Sequence, residues 1–116
     1  MEAENTNVAI HARDIEISDI IPSPAPTTDV YGARVLCRFT AHIKPLDLTI
    51  SGLVLAHHDG GEFVAGPGKG AIIPAWLNMT RGTRAGTAIA AAASKAWNAL
   101  SAEDIRDLRL ANRKAA

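Results

Sequence analysis

The stretch from Arg34 to Ile43 constrains the fold more than any other part of the chain. Val35, Cys37, Phe39, Ala41 and Ile43 fall on one side of an extended backbone, and Arg34, Arg38, Thr40 and His42 fall on the other. Leu36 is the only large apolar residue among the polar set. A period of two defines a half-buried strand, so this segment needs a sheet to sit in. Lys44-Pro45-Leu46-Asp47 reads as a turn, and Leu48 to Ala56 as a second, more apolar strand. His57-His58-Asp59-Gly60-Gly61 supplies a reversal, because Asp-Gly tolerates the positive φ of a hairpin tip. Glu62 to Ala65 returns as a third strand.

Upstream, the isoleucines of Asp14-Ile15-Glu16-Ile17 alternate with charged residues, the pattern of a strand reaching Ile21. Pro22, Pro24 and Pro26 cannot donate to a ladder, so the pattern predicts an extended surface connection from there through Gly32. Residues 1 to 12 are polar and acidic and read as a flexible arm, with one domain over residues 13 to 116.

Downstream, Gly66-Pro67-Gly68-Lys69-Gly70 leaves the sheet and feeds an irregular segment through Pro74. A helix is expected from Thr83, whose hydroxyl caps it, to Leu100, with Ile89, Ala93, Ala96, Trp97 and Leu100 on its apolar stripe. Ser101 before Glu103 and Asp104 starts a short terminal helix to about Asn112, with Ile105 and Leu108 inward. The fold class is therefore α+β: a small antiparallel β-sheet, a packed C-terminal α-helix and a short terminal helix.

A chain of 116 residues has room for one core. With 47% hydrophobic but only 4% aromatic residues, that core is aliphatic and alanine-rich, which favours completion by self-association into a homodimer or larger oligomer. Cys37 stands alone, no basic and apolar leader precedes the fold, and no apolar run reaches the ~18 residues of a membrane span. The expected location is cytoplasmic, with no membrane partner.

The formal net charge is +0, but charge is unevenly placed. Acidic residues prevail before Asp29, whereas Lys69, Arg81, Arg84 and Lys95 are the only charges from Phe63 to Ala102. That basic stretch is either an anion-attracting face or ordinary solvated surface.

Catalytic and metal constellations are poor. His57 and His58 are adjacent, so in a strand their rings point apart, and the pair reads as a polar hairpin tip. Cys37 and His42 fall on opposite faces of one strand, which separates a thiol from its base. Gly66 to Gly70 offers amides and a lysine but departs from the phosphate-loop pattern, and Ala71 supplies no hydroxyl for magnesium. The sequence predicts no catalytic residue, metal or cofactor.

Basic side chains carry more. Arg34, Arg38 and His42 share a strand face at four-residue intervals, roughly 13 Å at ordinary strand rise, a spacing that resembles phosphates along a nucleic-acid strand, although exposed sheet arginines look the same. Lys69 is placed to hold a phosphate beside the glycine amides. Arg81 and Arg84 precede the helix, where its N-terminus attracts anions, and Lys95 lies on its outer face. Trp76 is a stacking candidate, while Trp97 belongs to the apolar stripe.

Gly61-Glu62-Phe63-Val64-Ala65-Gly66-Pro67-Gly68-Lys69 resembles the G-x-F-V-A-x-P-x-K signature of the SpoVG (stage V sporulation protein G) family, and the preceding strands agree with that family in pattern. The resemblance spans most of residues 13 to 100. It implies a small dimeric domain that binds nucleic acid and regulates without catalysis. Gly66 and Gly68 replace larger residues, and the proline-rich connection, acidic arm and final helix are additional. The leading reading is a SpoVG-like regulator that binds DNA or RNA through backbone phosphates, with Arg34, Arg38, Lys69, Arg81, Arg84 and Lys95 as contacts. The alternative is a non-catalytic protein-interaction or assembly subunit, bacterial or phage-encoded.

Overall fold

The computed structural model describes residues 10–28, 34–58, 61, 63–68, 70–74, 77 and 83–115. Four strands form one antiparallel meander in the order β1-β2-β3-β4: β1 is Ile15–Thr28, β2 Arg34–Ile43, β3 Leu48–His57 and β4 Phe63–Pro67. Two helices follow, α1 at Arg84–Asn98 and α2 at Ala102–Ala115. The α+β class expected from the pattern is the observed one.

The core lies between one face of the sheet and α1. Cys37, Phe39, Ala41 and Ile43 of β2 and Ile50, Leu53 and Leu55 of β3 meet Ala85, Ala88, Ile89, Ala92 and Ala93 of the helix. Phe39, Ile43, Ile50, Leu53, Leu55 and Ile89 are almost wholly removed from water. Each such side chain contributes about 1.5–3 kcal/mol by burial. The alanines let the helix ride close to the sheet, so the small helix residues and large strand residues fill one layer.

Ends and turns follow local chemistry. Thr83 Oγ1 accepts from the Gly86 amide at 3.2 Å and caps α1. At α2, the Ser101 amide donates to Asp104 Oδ2 and the Asp104 amide to Ser101 Oγ, both at 3.0 Å, a reciprocal capping box. A 3-10 turn at Lys44–Leu46 closes on Asp47 at φ 47°, a conformation that aspartate tolerates better than most residues. Pro67 pairs with Leu53 at the free edge of the sheet. Its neighbour Gly68 donates to the Gly52 carbonyl at 2.9 Å, so ladder donors alternate past the proline, whose missing N–H faces away from β3.

The register contains four shifts, and they account for most departures from the sequence pattern. Asp19 and Ile20 of β1 stand against Phe39 alone, since Ser18 pairs with Thr40 and Ile21 with Arg38. Ser51 and Gly52 of β3 stand against Thr40, between the Phe39–Leu53 and Ala41–Ile50 pairs. Leu36 is an extra residue of β2 between the Val35–Ala56 and Cys37–Leu55 pairs. Pairing of β1 with β2 lapses after Pro22 and resumes at Thr27. The prolines therefore interrupt the ladder, as expected, but do not end the strand.

Other boundaries also move. Ile10 is 9% exposed and belongs to the core, and Ala12 packs against it at the start of a short 3-10 turn, so both join the fold although composition placed them in the arm. Residues 1–9 lie outside the described residues. The terminal helix reaches Ala115 and leans on β1, where Arg109 Nε donates to the Ser23 carbonyl at 2.9 Å. Ile105 and Leu108 are half-buried, and Leu110 is 46% exposed.

Candidate nucleic-acid interface

The side chains of β1, β2 and β3 that point away from α1 form a second face, which reaches water except at Thr40 and Ala56, 9% and 6% exposed. Cross-strand partners share a face, so the register assigns each one. Glu16 pairs with His42, Ser18 with Thr40, and Ile21 with Arg38. On the other side of β2, His42 pairs with Thr49 and Arg38 with Val54. Glu16, Ser18, Ile21, Arg38, Thr49 and Ser51 are exposed.

This face has two halves of different character. One end is polar: His42 Nδ1 shares a hydrogen bond of 2.8 Å with Thr49 Oγ1, and its Nε2 lies 3.8 Å from Asp47 Oδ1. Lys44 Nζ stands 3.9 Å from Glu16 Oε2, both side chains more than half exposed, which makes this a weak contact. The other end is aliphatic, because Val35 pairs with Ala56, Val54 with Gly66, and Ala56 with Val64.

Arg38 lies where the halves meet. A Cβ added at Gly52 would be 3.5 Å from both the Arg38 Nη2 and the Cα of Ala71, so the guanidinium and Ala71 both lie close to the Gly52 backbone.

The four described basic candidates do not share a surface. Arg38 occupies the open face of the sheet. Arg34 pairs with His57, whose ring meets Phe63 at 4.7 Å between centroids, and Phe63 packs against the core. Arg34 is thus on the helix side, contrary to the simple alternation, because the extra residue Leu36 reverses the parity between it and Arg38. Leu36 itself packs against the core rather than joining the polar face.

Arg84 and Lys95 lie on the solvent stripe of α1, with Thr87, Ala91 and Asn98 between or beyond them at helical spacing. That stripe is on the opposite side of the molecule from Arg38. Lys69 and Arg81 lie outside the described residues, as do Asp59 of the hairpin tip and Trp76. Trp97 is half-buried against the core and is not a free stacking platform.

Cys37 and His42 are separated by the sheet, as the parity implied. Cys37 is 2% exposed, and burial pushes its thiol up to about 12 from an ordinary value of 9.0. Among the described residues no three His, Cys, Asp or Glu side chains gather as a metal site. No described helix is long and apolar enough to cross a membrane.

Sequence reasoning passed over Asp19, Ser51 and Gly52, which the register brings to the middle of the open face. A signal for one bulge is present in the residues: Leu48 and Ile50 hold even positions, Leu53 and Leu55 odd ones, and Gly52 sits at the change.

The chain matches no family model, no curated protein and no solved structure. Fold and site define a class only, a four-stranded antiparallel meander with α1 packed on one face. Within Gly61 to Lys69, Phe63 and Ala65 pack against the core, and Pro67 occupies the sheet edge.

Proposed function

We propose that this chain is a SpoVG-like, non-catalytic regulator that binds DNA or RNA mainly through backbone phosphates, using the open face of its sheet. The observation that supports this reading most is the outward row of β2. Arg38 and His42 point outward on either side of Thr40, which is only 9% exposed, and Lys44 reaches the same face beside Glu16. At ordinary strand rise Arg38 and His42 stand roughly 13 Å apart, which suits alternate phosphates of a strand laid along β2. The contacts narrow to that row, since Arg34, Arg84 and Lys95 point elsewhere. The separation of Cys37 from His42 supports a role without chemistry.

The zero formal charge means that whole-molecule attraction to a polyanion is small. Binding is therefore modest and falls steeply with salt. A salt titration of binding to labelled DNA and RNA, single- and double-stranded, tests this. Absence of association with all of them at low salt removes the reading.

A second reading is favoured by Val35, Val54 and Val64, half-buried side chains around the buried Ala56 that give one end of the open face an aliphatic character. In that reading the same face joins two copies of the chain or binds another assembly subunit, and self-association is its measurement.

A further inference from the structure

The polar end of the open face holds one imidazole among fixed charges of both signs. His42 of β2 stands between Glu16 of β1 and Thr49 of β3, its cross-strand partners. Its Nδ1 shares a 2.8 Å hydrogen bond with Thr49 Oγ1, and its Nε2 lies 3.8 Å from Asp47 Oδ1. Lys44 Nζ is 3.9 Å from Glu16 Oε2. Asp14 precedes β1 two residues before Glu16, and its Oδ2 accepts from the His11 amide at 3.3 Å. Along β2 itself the next charge is Arg38, four residues away and roughly 13 Å off at ordinary strand rise.

This setting lets the imidazole change charge without moving. A threonine hydroxyl both donates and accepts, so Thr49 Oγ1 serves Nδ1 whether or not that nitrogen carries a proton. The ring therefore keeps one orientation in both states. Nε2 looks toward the Asp47 carboxylate, and the His42 side chain is 32% exposed, so a proton reaches the ring from water and meets an acceptor already in place. With the imidazole neutral, Glu16 and Asp47 outnumber Lys44, and this end of the face repels a phosphate. With the imidazole protonated, cations and carboxylates around it balance, and the repulsion is gone.

We propose that protonation of His42 tunes nucleic-acid binding on the open face, so that the chain holds DNA or RNA more tightly as the medium turns from weakly alkaline to weakly acidic. This inference rests on the nucleic-acid reading above. Imidazole is the side chain whose charge ordinarily changes in that interval, whereas ordinary carboxylates and ammonium groups keep theirs across it. The groups involved are open to water and salt, which screen them, so the effect is a tuning of affinity by a few fold and not an on–off switch. His57 serves as the internal contrast, because its ring meets Phe63 on the side of the sheet that carries α1.

The test uses the full chain with a labelled uniform dT strand and its duplex with dA, at fixed ionic strength, since thymine carries no group that titrates in this range. Expected on whichever form binds is roughly two- to fivefold tighter association at about pH 5.5 than at about pH 8, the size of one exposed charge contact. Binding must then take up protons between those limits, which calorimetry in two buffers of different ionisation heat reads directly. His42→Gln binds as the parent does at the alkaline end, stays level toward acid and takes up no proton. His57→Gln keeps both responses. Asp47→Asn, which retains a residue tolerant of the backbone at φ 47°, binds more tightly than the parent at the alkaline end. If binding falls with salt but is level across this pH range, or if His42→Gln keeps the pH response, the inference is overturned and the phosphate reading stands. If neither form binds at either pH, both fall together.

Discussion

Arg34 and Arg38 stand four residues apart on β2 yet point to opposite faces of the sheet, because Leu36 is an extra residue in the ladder to β3. A functional difference follows from this difference of side. Arg38→Ala weakens nucleic-acid binding and lowers the slope of log K against log salt by ~1, as removal of one phosphate contact does. Arg34→Ala leaves both affinity and slope unchanged. Fluorescence anisotropy across a salt series measures the two side by side, and equal effects would return the arginines to a common surface.

The same relationship shows how far the residues alone specify the fold. The strands of β2 and β3 are legible because alternation over ten residues survives local disturbance. Thr83 and Ser101 are legible as caps because their hydroxyls serve neighbouring amides, a purely local matter. The bulge at Leu36 is not legible, since neither glycine nor proline marks it and only the partner strand decides the parity. The middle of the open face is hidden for the same reason: Asp19, Thr40 and Ser51 come to neighbouring positions through long-range register, while the described basic residues that stand out in the sequence are scattered over the surface.

Gly68 and Gly66 differ in what a side chain would meet. A Cβ at Gly68 would come within 2.6 Å of the Gly52 carbonyl oxygen and 2.7 Å of Val54 Cγ2, whereas one at Gly66 has open space. Backbone oxygen cannot give way as a flexible side chain does. Gly68→Ala is expected to destabilise by about 1–3 kcal/mol, and Gly66→Ala to stay within ~0.5 kcal/mol of the parent. Urea denaturation of the two variants decides it, and a tolerated Gly68→Ala would show that the β3–β4 junction is looser than the geometry states.

The aliphatic half of the open face gives the self-association reading its own test. Val54→Lys places a charge between Arg38 and Gly66 without entering the core, because Val54 faces away from α1. If two copies join through this face, the variant is monomeric under conditions where the parent dimerises, as light scattering at micromolar concentration reports. An equal mass for both proteins, whether monomer or dimer, separates this face from assembly.

Burial of Cys37 predicts a pH dependence with a definite sign. Its thiol is raised in the folded chain to about 12 from 9.0, so folding favours the protonated form. Below pH 9 both states hold the proton and the full contribution is present. Between pH 9 and pH 12 the unfolded chain loses its proton first, and stability falls as pH rises. Cys37→Ala removes this dependence at the cost of a small cavity, so its stability is lower at neutral pH but declines less steeply through the alkaline range. The thiol is also inert toward a disulfide reagent at pH 8 in the native chain and reacts on unfolding, since only the thiolate attacks and Cys37 is 2% exposed. Rapid labelling of native protein, or identical alkaline profiles for parent and variant, would place Cys37 nearer the solvent than the core packing allows.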